Sequence, residues 1–481
     1  MQQQRSSNSG RAGFFVERFA ALRRAQPDAA SILDADADRV VTRDVLAREA
    51  DALAERLARS TTHAQKPAIV AIQLPNGAPL IAAVLACWQA DLVPMPVDHD
   101  VAPAALAQLC RTVGASLVVR SGEVPDRPLA IEPLEHDAHA LAPDTALLKV
   151  TSGSTGEPRA VALTSAALEV GVAQIVATMG LEPADRNLVT IPLAHSYAFD
   201  NVVLTLLRDG MPAVLSRDLT PRRLLAVARD ARVTVLPTVP FLLDVLARSA
   251  HVGLPDLRLV ISAGAPLPVA ARERFAAAFG VRPRTFYGST ECGGIAFDRE
   301  GTSEVPEGCV GTPLEGVRVV LEQPDEDGVG RVRVLSRSTA TGYHPAGSGG
   351  GGVELGGGSF LTADLGALDG RGRLRLVGRV RDVVNVGGRK VYPVEVERVI
   401  RSVPGVRDAV VTGVARSPVA DALHAVVAAE RHVTRDAIVA ACERHLARYK
   451  VPRTIDLVDE IPRTARGKLD RRALDGRHPI G

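Results

Sequence analysis

The sequence predicts an α/β protein with a large N-terminal domain of doubly wound sheets, a small β-barrel-like subdomain and a small α+β C-terminal domain. From residue 14 to about residue 262, short apolar runs alternate with helical patterns, which is typical of parallel sheets covered by helices. After Gly311 the apolar runs become short and alternating, with Gly and Asp turns between them. Because the pattern shifts again near Gly378, we assign residues 1–378 to the large domain and 379–481 to the small one.

The first part of the chain supplies the doubly wound elements. Residues 1–12 are polar and are predicted to form a disordered tail. An Ala- and Leu-rich amphipathic helix is expected at 43–59 and a buried helix at 80–92. The other elements expected there lie between turn-forming residues: strands at 67–74, 92–97, 117–119, 187–192, 211–215, 234–236 and 257–262, and helices at 224–230 and 241–248.

The remaining part of the chain supplies the shorter strands and the small domain. A helix is expected at 391–403, where Pro393 and two glutamates occupy the first turns. A second helix is expected at 432–446. The strands predicted in this part of the chain are 317–321, 330–335, 374–376, 410–414 and 425–429.

Composition excludes several classes of protein. The formal net charge is +2 and aromatic residues make up 3% of the chain, so neither a basic face nor a base-stacking platform for nucleic acid is expected. The five cysteines are scattered without metal-ligand spacing, which argues against a zinc site and favours a reducing cytoplasm. The chain has no apolar signal-peptide core and no run of about twenty apolar residues, so export and membrane spans are not expected.

A cluster of hydroxyl residues and glycines follows a strand pattern near residue 147. Glycines at 153 and 156 let backbone N–H groups approach phosphate oxygens, the hydroxyls add donors, and Arg159 adds a positive charge. The spacing differs from that of a Walker A loop. Taken alone, the composition also fits an ordinary solvated loop. The segment reads Thr151-Ser152-Gly153-Ser154-Thr155-Gly156-Glu157-Pro158-Arg159.

This segment resembles the phosphate loop of the adenylate-forming superfamily, which comprises acyl-CoA synthetases, adenylation domains of nonribosomal peptide synthetases, and luciferases. The family usually ends the loop with lysine, whereas Arg159 keeps the charge in a bulkier, forked group. The resemblance covers residues 14–474. It implies ATP and Mg²⁺ as cofactors and a small C-terminal domain that is mobile between two half-reactions.

Further motifs that resemble the ATP site follow in the family's order. In the segment Tyr287-Gly288-Ser289-Thr290-Glu291, the resemblance implies that Tyr287 stacks on adenine, that Thr290 donates to the α-phosphate, and that Glu291 binds Mg²⁺. The segment Gly264-Ala265-Pro266 resembles the loop that lines the adenine pocket. Asp364 resembles the carboxylate that binds the ribose hydroxyls, and Arg379 would reach the ribose or a phosphate.

The C-terminal motifs resemble the mobile part of the catalytic machinery. Arg381 matches the hinge position, and the pair Gly387-Gly388 matches the loop that admits a thin pantetheine arm. Lys468 follows a glycine in a chain that has only five lysines. It resembles the catalytic lysine, whose compact charge can bridge the substrate carboxylate and the α-phosphate.

The acyl pocket is weakly encoded. His195 resembles the histidine that gates the substrate carboxylate. Amino-acid-activating members place an aspartate near Asp200 to pair with the α-ammonium, but the spacing from His195 to Gly210 aligns Ser196 or Tyr197 with that position. We therefore favour an uncharged aryl or aliphatic acid, and an amino acid remains the alternative. The pocket residues that the resemblance implies are Tyr197, Asp200, Asn201, Val239, Gly293, Gly294 and Ile295.

The resemblance implies ATP-dependent formation of an acyl-AMP with release of pyrophosphate, followed by transfer of the acyl group to a thiol. The thiol acceptor is coenzyme A or the phosphopantetheine of a free carrier protein, and the enzyme is a monomer or a homodimer. Three other possibilities stay open: a non-catalytic relative, a luciferase-like oxidising enzyme, and a nucleotide-binding regulator without an acyl substrate.

Replacing Lys468 with alanine is expected to slow acyl-AMP formation about a hundredfold or more, because the lysine stabilises charge that develops at the α-phosphate. The measurement is ATP–pyrophosphate exchange with an acid that supports exchange in the wild-type protein. Lys66→Ala, which removes a lysine outside every motif, is the control. Both variants should unfold at the wild-type temperature, and wild-type exchange in Lys468→Ala would rule out this role.

Overall fold

The computed structural model describes residues 11–61, 68–124, 127–135, 139–142, 144–151, 159–302, 305–306, 308–347, 354–386, 389–417 and 420–462. Its strands are β1 (Ala30–Asp34), β2 (Arg39–Thr42), β3 (Ile69–Gln73), β4 (Val93–Pro96), β5 (Leu117–Val124), β6 (Arg127–Pro133), β7 (Thr145–Thr151), β8 (Arg159–Thr164), β9 (Asn187–Leu188), β10 (Ala213–Leu215), β11 (Val235–Thr238), β12 (Leu259–Ser262), β13 (Arg284–Ser289), β14 (Gly293–Phe297), β15 (Cys309–Pro313), β16 (Arg318–Glu322), β17 (Gly330–Leu335), β18 (Gly342–His344), β19 (Leu355–Gly356), β20 (Ser359–Leu368), β21 (Leu374–Arg379), β22 (Val384–Val386), β23 (Arg389–Val391), β24 (Val406–Ser417), β25 (Ala420–Ala429) and β26 (Thr454–Val458).

The helices alternate with these strands through most of the chain. They are α1 (Gly13–Ala25), α2 (Arg43–Ser60), α3 (Ala78–Gln89), α4 (Pro103–Val113), α5 (Ser165–Met179), α6 (Ser196–Ala198), a π-helical turn (Phe199–Leu204), α7 (Thr205–Asp209), α8 (Pro221–Asp230), α9 (Pro240–Arg248), α10 (Val269–Phe279), α11 (Pro393–Arg401), α12 (Arg435–His445) and 3₁₀ turns at Val380–Asp382 and Arg448–Lys450.

The chain divides into two compact units. The first comprises residues 1–320 and 333–361, and the second comprises residues 321–332 and 362–481. The boundary proposed at Gly378–Arg381 lies within the second unit. Within the described residues, no helix has both the length and the apolar character needed to cross a membrane.

The largest sheet of the first unit positions the candidate site. Its strands lie in the order β15-β14-β13-β12-β11-β9-β10-β1-β2, and β13, β12, β11, β9, β10 and β1 pair in parallel. The register places Thr238 beside Ser262, and Ser262 beside Thr285. Because parallel strands end at the same edge, the segments that follow β11, β12 and β13 come together there.

Two smaller sheets complete the first unit. One has the order β4-β3-β5-β6, and the other has the order β18-β8-β7. The indole of Trp88, on buried α3, donates a hydrogen bond to the carbonyl oxygen of Ala146 over 2.8 Å. The same indole stacks on Phe15 of α1, with ring centres 5.3 Å apart. This single side chain therefore joins α1, α3 and β7 in the main core.

The second unit has its own core. Its three-stranded sheet has the order β24-β25-β26. A separate pair of strands, β22 and β23, precedes this sheet in the sequence. Helices α11 and α12 bury Val396, Ile400, Ile438 and Cys442 in a cluster with residues of the sheet. In the part of β20 that belongs to this unit, Asp364 pairs in register with Arg379 of β21. The unit therefore does not depend on the first one for its apolar core.

The predicted α/β class and most of the predicted elements are confirmed, with two corrections. The strand predicted at 187–192 is reduced to Asn187–Leu188, and Pro192, which cannot donate a ladder hydrogen bond, belongs to the turn that follows. Arg11 and Ala12 do not continue the predicted tail. Ala12 is fully buried, and the Arg11 guanidinium donates to the carbonyl oxygen of Thr145.

Gly311 provides a test of the sheet packing. Its φ is +85°, and a Cβ added there would lie 2.0 Å from the carbonyl oxygen of Phe297. Gly311→Ala should therefore lower the free energy of unfolding by about 3 kcal/mol or more, because it adds both backbone strain and a backbone clash. The measurement is the denaturant midpoint with its slope.

The control for Gly311→Ala is Gly180→Ala. Gly180 has a φ of +61°, but no atom lies within 4 Å of an added Cβ. This variant should lose only about 1 kcal/mol, because the strain of the left-handed backbone is then the whole effect. Equal losses in the two variants would show that the contact with Phe297 has no part in the first result.

Candidate functional site

The β7–β8 hairpin presents the two ends of the predicted phosphate loop. Thr151 ends β7, Arg159 begins β8, and the two residues pair in register. The loop residues assigned to phosphate between them, Ser152, Gly153, Ser154, Thr155 and Gly156, lie outside the described residues. Arg159 is 8% exposed, so its charge is held close to the sheet. The segment after the loop is strand β8.

Arg159 packs against an aromatic residue that sequence reasoning missed. Its guanidinium carbon lies 4.3 Å from the centre of the Tyr343 ring, a cation–π contact. Tyr343 is on β18, where it pairs with Val161 of β8. No motif of the sequence singled out this tyrosine. Only the antiparallel pairing of β18 with β8 brings Tyr343 to Arg159. The sequence does not reveal this pairing.

The hydroxyl group of Tyr343 reaches the predicted magnesium ligand. It donates a hydrogen bond to Oε1 of Glu291 over 2.9 Å. Burial raises the pKa of Tyr343, and the neighbouring Glu291 carboxylate raises it further, so the phenol stays protonated as a donor. The backbone of Glu291 is fixed as well, because its carbonyl oxygen accepts from the N–H of Ala340 over 2.8 Å. Arg159, Tyr343 and Glu291 therefore form one contiguous cluster.

The chemistry of this cluster suits a magnesium ion bound together with a nucleotide. Among the residues that the structure describes, no group of three or more His, Cys, Asp or Glu side chains could hold a metal ion alone. Magnesium is typically bound through one or two carboxylates together with substrate phosphates and water. A single carboxylate beside the ends of a phosphate-binding hairpin is the donor set that such an ion requires.

The histidine segment adjoins the same cluster. Ser196, the first residue of α6, donates its hydroxyl hydrogen to Oγ1 of Thr290 over 3.0 Å. Nε2 of His195 lies 3.2 Å from Oδ2 of Asp98, a residue that follows β4 and that sequence reasoning also missed. The predicted acyl-gating residue is therefore held by a carboxylate, and the residue after it contacts the predicted α-phosphate donor.

Tyr197 and Asn201 lie on one face of the turn after His195. The Tyr197 hydroxyl donates to the carbonyl oxygen of Ile261 over 2.9 Å, and its ring centre lies 5.6 Å from that of Phe286. Burial raises the pKa of Tyr197. Asn201 is buried and donates to the carbonyl oxygen of Tyr197 over 2.9 Å. The Tyr197 side chain is thus fixed against β12 and β13, and Asn201 is fixed to the backbone of Tyr197.

Asp200 is paired with a lysine. It lies in the first turn of the π-helical segment Phe199–Leu204, and its Oδ1 is 2.5 Å from Nζ of Lys149 on β7. The side chains of Asp200 and Lys149 are 10% and 4% exposed. Burial raises the pKa of Asp200, and the lysine charge opposes that rise. The aspartate is therefore already paired with an ammonium group of the same chain.

The predicted adenine and pocket residues lie on, or directly after, neighbouring strands of the largest sheet. Tyr287 pairs with Ala296 across β13 and β14, whereas Gly264, Ala265 and Pro266 form an exposed segment after β12. Val239 precedes α9. In α9 itself, Phe241 is 62% exposed, whereas Leu242 packs on the core. The other predicted residues in this part of the chain are Gly288 and Ser289 of β13, and Gly293, Gly294 and Ile295 of β14.

Gly294 has a packing reason for being glycine. A Cβ added there would lie 2.5 Å from Cδ2 of Leu314 and 3.0 Å from the Phe286 ring. Ile295 is fully buried. These two pocket candidates therefore shape the sheet behind the site, and no contact of theirs distinguishes one acid from another.

The second unit brings together two predicted ribose-binding residues. Nε of Arg379 donates to Oδ1 of Asp364 over 3.0 Å, and the arginine side chain is 54% exposed. The backbone N–H of Asp364 donates to Oγ1 of Thr362, which fixes the backbone at this residue. Arg381 lies in the 3₁₀ turn that follows β21. Gly387, Gly388 and Lys468 lie outside the described residues.

Removing one partner of the buried ion pair should be strongly destabilising. Lys149→Met leaves the Asp200 carboxylate buried without a countercharge, which is expected to lower the free energy of unfolding by roughly 3–5 kcal/mol. The double variant Lys149→Met/Asp200→Leu, which replaces both charges with apolar groups, should recover most of this loss. Equal stability of Lys149→Met and the wild-type protein at pH 7 would contradict a charged pair.

The loss in Lys149→Met should also depend on pH. Without the lysine, burial raises the pKa of Asp200 above its ordinary value of about 4, so the folded state binds the proton more tightly than the unfolded state. The difference in stability from the wild-type protein should therefore be largest at neutral pH and shrink as the pH falls toward 4. Chemical denaturation at several pH values measures this difference.

Comparison with known proteins agrees with this geometry. Residues 18–344 match the family model of the AMP-binding enzymes, and residues 395–468 match that of the AMP-binding enzyme C-terminal domain. A feruloyl-CoA synthase of an Amycolatopsis species is 30% identical over 409 residues, which cover 82% of this chain and 80% of that protein. A 2-succinylbenzoate–CoA ligase of Bacillus licheniformis is 31% identical over 348 residues, which cover 69% and 70% of the two chains.

A solved structure extends the likeness to almost the whole chain. It is o-succinylbenzoate coenzyme A synthetase from Bacillus subtilis in complex with ATP and magnesium ion. The identity is 25%, the TM-score is 0.81, and the match covers 96% of this chain and 99% of the other. Because one family model spans more than half of the sequence and these relatives match along most of their own length, this chain belongs to the AMP-binding enzyme family, the adenylate-forming superfamily of ligases.

Proposed function

We propose that the protein activates a carboxylic acid with ATP, forming an acyl-AMP and pyrophosphate, and then transfers the acyl group to the thiol of coenzyme A. The observation on which this proposal chiefly depends is the cluster of Arg159, Tyr343 and Glu291 at the end of the β7–β8 hairpin. Residues far apart in sequence there place a cation and a carboxylate against the same tyrosine side chain. Displacement at a phosphorus atom requires this combination of charge neutralisation and positioning.

The predicted ATP-site residues and the hinge residue each have a part in one of the two half-reactions. Arg159 would stabilise negative charge on the departing pyrophosphate, and Glu291 would hold a magnesium ion, which would neutralise charge on the phosphates. Thr290 donates to the α-phosphate, and its contact with Ser196 keeps this donor next to the histidine segment. Lys468 approaches the α-phosphate, and Tyr287 stacks on adenine, as in the family. Asp364 and Arg379 bind the ribose, and Arg381 is the hinge for the second half-reaction.

The acid is an uncharged aryl or aliphatic carboxylic acid. The contact of Asp200 with Lys149 supports this choice over an amino acid, since a carboxylate that is already neutralised has little to offer a substrate α-ammonium. His195, held by Asp98, lies where the substrate carboxylate enters. In the acyl pocket, Tyr197 supplies an aromatic ring and Asn201 a polar group, and Val239 and Gly293 lie with them.

The relatives support coenzyme A as the acceptor. Those described above carry the names feruloyl-CoA synthase and 2-succinylbenzoate–CoA ligase, and an Arabidopsis thaliana oxalate–CoA ligase is 30% identical over 350 residues. The pantetheine arm enters past Gly387 and Gly388. All five cysteines are buried outside disulfide bonds, which supports a reducing, cytoplasmic location.

The test is a pyrophosphate-release screen over aryl, fatty and amino acids, with coenzyme A, a holo carrier protein or neither. We expect release to depend on an aryl or fatty acid, to increase when coenzyme A is present, and to yield an acyl-CoA that mass spectrometry detects. Amino acids should give no release above background.

Three outcomes would contradict the proposal in different ways. Release that does not change across the whole acid panel would favour a nucleotide-binding regulator. Transfer only to the holo carrier protein, with amino acids as the active class, would favour a stand-alone adenylation enzyme. Oxygen consumption that accompanies acyl-AMP formation would favour a luciferase-like oxidation.

A further inference from the structure

We propose that Tyr343 is a positioning residue that orients the Glu291 carboxylate for Mg²⁺ and, through its ring, holds Arg159 at the end of the phosphate loop. This inference rests on the proposed function, because it assumes that Mg²⁺ and ATP bind at this cluster. The observation is that one side chain contacts both groups, with its hydroxyl on Glu291 and its face on Arg159.

The hydroxyl contact limits a torsion that is otherwise poorly defined. The last side-chain torsion of glutamate is broad, so an unsupported carboxylate samples many orientations. In this protein the backbone of Glu291 is fixed by the N–H of Ala340, and Oε1 accepts from Tyr343. With one oxygen held, the second oxygen has a defined direction for the metal ion. Orientation of this kind by a neighbouring hydrogen bond commonly tunes metal affinity.

The ring contact accounts for the arginine that replaces the usual lysine. A guanidinium group is planar and stacks on an aromatic face, whereas an ammonium group is a compact, strongly hydrated point charge. The guanidinium carbon of Arg159 lies 4.3 Å from the ring centre, so the tyrosine face holds the planar cation. Tyr343 is itself fixed, because β18 pairs with β8 two residues beyond Arg159.

The experiment measures equilibrium binding of the non-hydrolysable nucleotide α,β-methylene-ATP by calorimetry, with Mg²⁺ and separately with EDTA. Tyr343→Phe keeps the ring but removes the hydrogen bond to Glu291. We expect roughly tenfold weaker binding with Mg²⁺, the size of a lost hydrogen bond to a charged group, and less than about twofold change in EDTA. This difference is a readout that a purely structural role would not produce.

Two further variants separate the hydroxyl contact from the ring contact. Glu291→Gln should abolish the gain from Mg²⁺, and the double variant Tyr343→Phe/Glu291→Gln should show no additional loss, because the two residues act through one carboxylate. Arg159→Lys should weaken binding several-fold both with Mg²⁺ and in EDTA, since it changes the stacked cation and not the carboxylate.

A control variant separates positioning from general loss of stability. Thr234 donates its hydroxyl hydrogen to Oδ1 of Asp185 over 2.7 Å, in the same unit but in a different hydrogen-bond network. Thr234→Val therefore removes a comparable hydroxyl–carboxylate contact and should leave nucleotide binding unchanged with and without Mg²⁺. If Tyr343→Phe folds poorly, the Glu291→Gln and Arg159→Lys variants still test the two contacts separately.

The possible failures are distinguishable. If the wild-type protein binds no nucleotide, or binds it equally with and without Mg²⁺, the proposed function fails. If the wild-type protein shows the Mg²⁺ gain and Tyr343→Phe retains all of it, the positioning role is wrong. Equal losses for Tyr343→Phe with Mg²⁺ and in EDTA would also overturn the positioning role.

Discussion

Strand β8 pairs with β7 on one side and with β18 on the other, and the candidate site depends on this double pairing. The first pairing brings the two ends of the phosphate loop together, with Thr151 opposite Arg159. The second brings Tyr343 to Arg159, and its hydroxyl then reaches Glu291. Backbone hydrogen bonds thus set the distances between three charged or polar side chains. The cluster is therefore preorganised before any nucleotide binds.

A buried ion pair on the same hairpin is a second constraint on the structure. The Lys149–Asp200 pair joins β7 to the π-helical turn that follows the histidine segment, and both charges are almost completely removed from water. Such a pair contributes little net stability relative to apolar residues, because desolvation offsets the attraction. A register of the turn that holds Tyr197 and Asn201 in which the aspartate does not meet the lysine would leave a buried charge without a partner, which is strongly unfavourable.

The sequence predicted much of the fold and two of the three residues in the cluster. Arg159 and Glu291 were found because each lies in a short motif with unusual chemistry, and because the motifs follow a recognisable order. Tyr343 and Asp98 were not found, since an isolated tyrosine or aspartate has no local signal and its partner is set by strand pairing across long sequence separations. The pairing of Asp200 with Lys149 was not found for a related reason: the two residues are 51 positions apart, one in the π-helical turn and the other on β7.

The position of the only tryptophan has a practical consequence for studying the two units. Trp88 is buried between Phe15 and β7, and the second unit contains no tryptophan, so intrinsic tryptophan fluorescence comes entirely from the first unit. Circular dichroism in the peptide region, in contrast, receives signal from helices of both units. Unfolding curves that coincide by the two methods would indicate that the units unfold together, and curves that separate would give the stability of each unit without cutting the chain.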